Sequence, residues 1–312
     1  MNASPTSSAL DSRAAGVMTL LCVVWSLQQI SLKAVAPQAA PMGMVALRSL
    51  IALGLLAVLM RHRGERLARG RFKPGAVVGA LFAFEYLLVA EALRLTHASH
   101  VVVFLYSAPI FAALGLQARL TVERLARLQW AGIGLAFGGI ALAFLGGAGT
   151  ASGGTLLGDA LALGAGAAWG ATTVTIRCSS LAAAPATETL AYQLAGAALL
   201  LGPAAALSGQ WHFEPTARVF AHLGFQAVVV SFASFLTWCW LLRRYPASQL
   251  GVFSFLTPLF GVLLGVWLLG EALHPAFIAG SGLVLAGIAL VSGHAGLTRR
   301  WLALRRPAQS VA

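Results

Sequence analysis

Two apolar stretches of the chain repeat one another, and that repeat constrains the fold more than any other feature. ASHVVVFLYSAPIFAALG runs from Ala98 to Gly115, and ASQLGVFSFLTPLFGVLLG from Ala247 to Gly265. Ala98 aligns with Ala247, Tyr106 with Phe255 and Pro109 with Pro258, at a constant offset of 149. Each stretch is long enough to cross a bilayer. Each is interrupted by a proline, which removes a backbone hydrogen bond and bends or breaks a helix. A Pro-interrupted apolar segment recurring in corresponding halves points to a solute site between the halves.

Composition agrees. Of 312 residues, 59% are apolar and only 10% are Asp, Glu, Lys or Arg, with a mean hydropathy of +0.83. A soluble globular chain carries roughly 25% charged residues, so an ordinary soluble enzyme is excluded. The net charge of +12 raises the question of a nucleic-acid partner. The basic residues, however, sit in short clusters between apolar runs, and no nucleic-acid-reading motif accompanies them.

Apolar runs of bilayer length predict an all-α polytopic membrane protein of ten transmembrane helices. They cover 16–35, 41–60, 75–94, 98–118, 127–146, 155–176, 187–208, 219–242, 247–269 and 275–296. A polar, Ser-rich tail (1–15) lacks the order of a cleaved signal. The chain then divides into a first five-helix repeat (16–147), a second (153–297) and a basic tail (298–312). Among the 21 Lys and Arg residues, only Lys33, Arg94 and Arg218 fall in the connections of one side, and Arg48 lies inside a span. The remainder fall on the other side, which the positive-inside rule makes cytoplasmic, with both termini. Five is odd, so the second repeat enters the membrane inverted relative to the first. Trp25 and Lys33 recur as Trp169 and Arg177, and the Gly-Ile-Ala-Leu at 139–142 recurs at 287–290, with Gly132 matching Gly280. The pairs Gly75/Gly79, Gly134/Gly138, Gly166/Gly170 and Gly261/Gly265 have the spacing that lets membrane helices approach closely. Cys22, Cys178 and Cys239 have no metal-ligand spacing and read as buried thiols.

Polar and aromatic residues inside the spans are the candidates for a substrate site. Gln28 and Gln29, on the face of span one that carries Trp25, either line the pathway or hydrogen-bond between helices. Trp169 and Thr173 form the corresponding face of span six. Tyr86 and Tyr106 have Phe235 and Phe255 as repeat mates, so hydroxyls are expected on one half of a cavity and bare rings on the other. Tyr192 is a further polar candidate. Glu85 is costly in mid-membrane; it couples protons, answers a substrate ammonium or partners Arg48. Pro109 and Pro258 act as kinks or hinges. Glu91 is expected to pair with Arg94, Asp159 to cap span six, and His100 to be a solvated helix start.

Ten spans as five plus five, a Pro-containing fourth span followed by Glu (Pro109 then Glu123, Pro258 then Glu271), Trp25 in span one, and the Ala-Ser-x-x-x-x-Phe starts at 98 and 247 resemble the EamA-type ten-helix branch of the drug/metabolite transporter superfamily. The resemblance spans about residues 16 to 296. It implies a monomeric bacterial inner-membrane exporter of amino acids or related metabolites, working without ATP or any cofactor. The aromatic content is similar to that of exporters of aromatic amino acids. The sequence carries no G-x-x-x-x-G-K-[ST] loop to cradle a nucleotide. A multidrug exporter of organic cations is the alternative within this fold, and a lipid scramblase or scaffold the alternative outside it. An intramembrane enzyme is disfavoured, because no second carboxylate stands at the depth of Glu85.

Overall fold

A computed structural model describes residues 12–119, 126–145, 153–242, 254 and 256–305. Described residues form helices and connections, with no strand among them beyond one isolated bridge between Ala39 and Phe213. The first half contributes α1 (Ser12–Val35), α2 (Pro41–His62), α3 (Phe72–Leu95), α4 (Ala98–Leu105), α5 (Ala108–Arg119) and α6 (Arg127–Leu145). The second half contributes α7 (Gly153–Arg177), α8 (Ala186–Leu207), α9 (Ala217–Gly224), a π-helical segment (Phe225–Ser234), α10 (Phe235–Leu242), α11 (Leu256–Leu269) and α12 (Pro275–Arg305). Among the described residues, six helical segments are long and apolar enough to cross a membrane; α11 and Pro275–Leu290 are shorter apolar helices.

The perimeter of the bundle is as apolar as its interior. Val58, Leu199, Leu263 and Trp267 all lie open on the outer face, Trp267 at 78% exposure. Continuous apolar exposure of this kind belongs against lipid rather than water. Within lipid no hydrophobic force holds helices together, so close backbone contact and polar bonds must do so.

Glycine supplies the close contact. A Cβ on Gly139 would lie 2.5 Å from the carbonyl oxygen of Gly280, and one on Gly287 would strike the carbonyl of Gly132. As numbers fall on α6 they rise on α12, so these two helices run antiparallel. Gly79 and Gly196 bring α3 against α8 in the same way, with Gly75 seating the Tyr192 ring. Gly166 and Gly170 face the α4–α5 break and α5, and Gly261 and Gly265 face Val102 and Glu271. Gly134 and Gly138 meet nothing within 4 Å, so that predicted pair does not pack; on α6 the contact falls to Gly132 and Gly139 instead.

The predicted span 98–118 is broken where Pro109 requires it. Pro109 cannot donate to Leu105, and α4 ends at Leu105. Ser107 caps the break by donating from Oγ to the Phe104 carbonyl at 2.6 Å. Only a glycine fits opposite: a Cβ on Gly166 would stand 2.9 Å from the Phe104 oxygen and 3.0 Å from that of Leu105. Pro258 lies in the first turn of α11, and residues 247–253 and 255 fall outside the described set.

The ends of α2 and α8 are copies in detail. Gly64 and Gly209 adopt left-handed conformations, φ 66° and 68°. Each sits in a helix-ending motif in which the next residue's N–H returns to a carbonyl five residues back: Glu65 to Met60 at 2.9 Å and Gln210 to Ala205 at 2.7 Å.

One end of the bundle is laced together. Ala40 donates to His212 at 2.9 Å, Glu214 to Gln38 at 2.8 Å, and Gln210 bonds Glu91. Lys33 Nζ donates to the carbonyls of Leu93 and Thr96. Glu271 accepts from the N–H groups of Ala98 and Ser99 at 2.6 and 3.1 Å, capping α4 from the α11–α12 connection. Asp159 does not cap α7, which begins six residues earlier at Gly153; it accepts from Thr96 Oγ1 at 2.6 Å and pairs with His100 Nδ1 at 2.9 Å. His100 is correspondingly buried, not solvated, and stacks on Phe277 with centroids 3.7 Å apart. Arg94 pairs with Glu91 at 2.8 Å as the spacing predicts. At the opposite end, Glu188 accepts from Arg71 at 2.8 Å and from the Ala68 N–H at 2.9 Å. Cys178, expected to be buried, is exposed beyond α7.

Candidate functional site

Away from the laced end, a buried polar group joins α1, α2, α3 and the π-helical segment. Gln28 Nε2 donates to the Tyr86 hydroxyl at 2.9 Å. The Arg48 guanidinium lies over the Tyr86 ring, 4.4 Å from its centroid, and Arg48 Nη1 donates to Gln226 Oε1 at 2.5 Å. Gln226 Nε2 in turn donates to the Gln28 carbonyl at 2.7 Å. The ring of bonds thus closes on itself and draws its members from both halves of the chain. All four side chains are buried.

Glu85 precedes Tyr86 on α3 and is buried. No salt bridge joins it to Arg48, which acts on it only through space. The partnership with Arg48 expected of Glu85 thus runs through space and not through a salt bridge. Gln29 Oε1 and Arg48 Nε are buried and lack hydrogen-bond partners. In an interior where unmatched polar atoms are costly, such vacancies need a reason.

Aromatic residues border this group. Phe82 lies 4.8 Å from Tyr86. Tyr106, at the α4–α5 break, meets Trp169 edge-on at 5.3 Å, and its hydroxyl is within electrostatic reach of Tyr86 and Glu85. Trp25 lies nearby on α1, its Nε1 donating to Ser234 Oγ at 3.0 Å and its ring meeting Trp238 edge-on at 5.6 Å. Ser26 Oγ donates to the Thr257 carbonyl at 2.7 Å, tying α1 to α11 beside Pro258.

Other predicted residues stand apart. Thr173 Oγ1 bonds the Trp169 carbonyl of its own helix. Tyr192 fills the α3–α8 contact against Gly75, Val78 and Leu181. Phe235 packs with Leu56 and Leu190 between α2 and α8. Phe255 lies outside the described residues. An open apolar recess of about 590 Å³ between α5, α6 and α7, lined by Phe111, Phe137 and Leu163, lies away from this group and carries no polar chemistry.

Sequence reasoning missed Gln226 and Ser234 and gave Arg48 no binding role. Gln226 had a signal, being the only amide in the apolar run 219–242. Its direction did not, because a π-helical segment changes which side chains share a face.

Helices that expose apolar surface outward and gather amides, a guanidinium and a carboxyl inward suit passage of a polar solute. The EamA-like transporter family matches residues 13–145 and again residues 156–293, one match per half. Over 64 residues the chain is 44% identical to YdzE, a permease-like protein of Bacillus subtilis (strain 168), covering 20% of this chain and 82% of that one. A solved crystal structure superposes with a TM-score of 0.63 at 20% identity, covering 94% of this chain and 99% of its own; that likeness is one of fold. With both halves matched over most of their length, the chain belongs to the EamA-like transporter family.

Proposed function

We propose that this transporter exports amino acids or related small amphipathic metabolites, aromatic amino acids foremost, across the bacterial inner membrane by alternating access. The observation that carries the reading is the closed polar ring of Gln28, Tyr86, Arg48 and Gln226, bordered by Phe82, Tyr106 and Trp169. It offers polar orienting groups beside flat apolar walls, the two surfaces an aromatic amino acid presents. The reading takes ten spans, divided as 16–147 and 153–297 with tails at 1–15 and 298–312. It takes both termini as cytoplasmic, a monomer in the lipid bilayer, and no cofactor or nucleic-acid partner.

Inversion of the repeats is supported by the α6–α12 crossing. Gly132 matches Gly280 and Gly139 matches Gly287 in the repeat. The contacts Gly139–Gly280 and Gly132–Gly287 are therefore exchanged by the repeat operation, as a two-fold axis requires. Since the two equivalent helices are antiparallel, that axis runs across them, in the membrane plane. The laced end, predicted to be extracellular, fits a carrier closed to the outside.

An organic-cation exporter would use Glu85 as its counter-charge and the rings as its walls. The Arg48 guanidinium beside Tyr86 opposes that reading by repulsion. Solute counterflow in proteoliposomes across the twenty amino acids, with and without a pH gradient, tests the proposal. Aromatic amino acids are expected to give the largest signal. No stimulation by any amino acid would sink it; flux of a dication instead would favour the cation exporter, and lipid flip without solute flux a scramblase.

A further inference from the structure

We propose that Arg48 reads the carboxylate of a zwitterionic solute, with Glu85 opposing it as the counter-charge for the solute's ammonium group. The inference rests on the export reading above and assigns the recognition chemistry within it.

Arg48 is the eighth of 22 residues of α2, about 10 Å along that helix from its start. It is 1% exposed, the largest of the fully buried side chains among the described residues. A guanidinium so placed needs an anion, yet its partners are neutral: an amide oxygen from Gln226 and the ring and hydroxyl of Tyr86. Nη1 is engaged and Nε has no partner. The edge that includes Nε is one of the two that can grip a carboxylate with two parallel bonds, and the engaged Nη1 encumbers the other. Among the described residues no carboxylate pairs with it: α1 presents Gln28, the π-helical segment presents Gln226, and the Glu85 carboxyl of α3 makes no ion pair with it.

Glu85 itself is 5% exposed and makes no side-chain hydrogen bond among the described residues. A guanidinium and a carboxyl held apart in a low-dielectric interior favour a solute that carries both signs, because burial disfavours a lone carboxylate and an ammonium beside Glu85 supplies the partner for its charged form. A net anion brings no such partner for Glu85, and a net cation is repelled by Arg48.

The test uses the full chain in proteoliposomes and four probes sharing one ring: phenylalanine, phenylalaninamide, phenethylamine and phenylpropionate. The wild type is expected to move phenylalanine fastest. In Arg48→Gln, phenylalanine flux should fall at least about tenfold relative to phenylalaninamide, with partial recovery in Arg48→Lys, which keeps the charge but not the fork. In Glu85→Gln, the ratio of phenylpropionate to phenylalanine flux should rise. An unchanged phenylalanine-to-amide ratio in Arg48→Gln overturns the assignment. Should Arg48→Gln lose every flux through misfolding, Glu85→Gln decides, and an unchanged anion-to-zwitterion ratio there overturns it. A wild type that moves none of the twenty amino acids sinks the export reading itself, whereas phenylalanine flux indifferent to Arg48 sinks only this inference.

Discussion

Gln226 makes two bonds that no apolar residue can replace. It accepts from Arg48 and donates to the Gln28 carbonyl, with its side chain fully buried. Replacing it with Leu leaves the Arg48 guanidinium short of an acceptor in a medium that provides none. A hydrogen bond to a charged group removed on one side costs about 1–3 kcal/mol or more. Gln226→Leu should therefore lower the unfolding temperature of the purified protein in detergent. Phe232→Leu, on a half-buried neighbour in the same segment, should leave it nearly unchanged. Equal effects would mean that the ring of bonds contributes nothing to stability. At this scale the sequence was partly legible. Gln28, Glu85, Tyr86, Tyr106 and Trp169 could be named because polar or aromatic groups in an apolar run need a partner. Tyr192 and Phe235 carried the same signal, yet they fill helix contacts. A residue's depth can be read from a run of apolar neighbours, but its direction depends on what packs against it.

Helices were the most legible elements: six of the predicted runs are helical segments of bilayer length among the described residues, and Pro109 marks its own break. The bonds between elements were not legible. Lys33 reaches the Leu93 and Thr96 carbonyls, His100 pairs with Asp159, and Glu271 caps α4; each joins residues far apart in sequence. This laced end also contains His97, in the short connection between α3 and α4. Its Nδ1 is buried without a hydrogen-bond partner and its ring meets His100 edge-on at 5.2 Å. Burial holds its pKa below the ordinary value near 6.5. Glu271 and Asp159 pull it upward, and His100 and Lys33 push it further down. The folded state thus disfavours the proton that the unfolded chain accepts. Stability from this group is complete above about pH 6.5 and is lost as pH falls from there through the lowered folded value. Thermal unfolding measured from pH 7.5 to 5 should show a loss in the wild type that is shallower in His97→Gln. Superimposable curves would remove His97 from the account of this end.

At the scale of the molecule, the repeat makes a claim that no single helix can make. The connection after α2 and the connection after α8 are equivalent, each closed by a left-handed glycine, Gly64 and Gly209, 145 positions apart. If both repeats entered the membrane in one sense, these two turns would lie on one face. If the two-fold relation at Gly139–Gly280 and Gly132–Gly287 governs the whole chain, they lie on opposite faces. The basic residues also favour opposite faces, since Arg61, Arg63, Arg66, Arg69 and Arg71 cluster after α2 while only Arg218 follows α8 before the next helix is under way. Arg63 and Ser208 immediately precede the two glycines and are both exposed. Single cysteines at these positions, in a chain whose Cys22, Cys178 and Cys239 are replaced by serine, report the face directly. A membrane-impermeant maleimide should label Ser208→Cys in intact cells, and Arg63→Cys only once the membrane is opened. Labelling of both from one face would mean parallel repeats. It would also restrict the α6–α12 symmetry to a local crossing and leave the polar ring without a second half to rock against it.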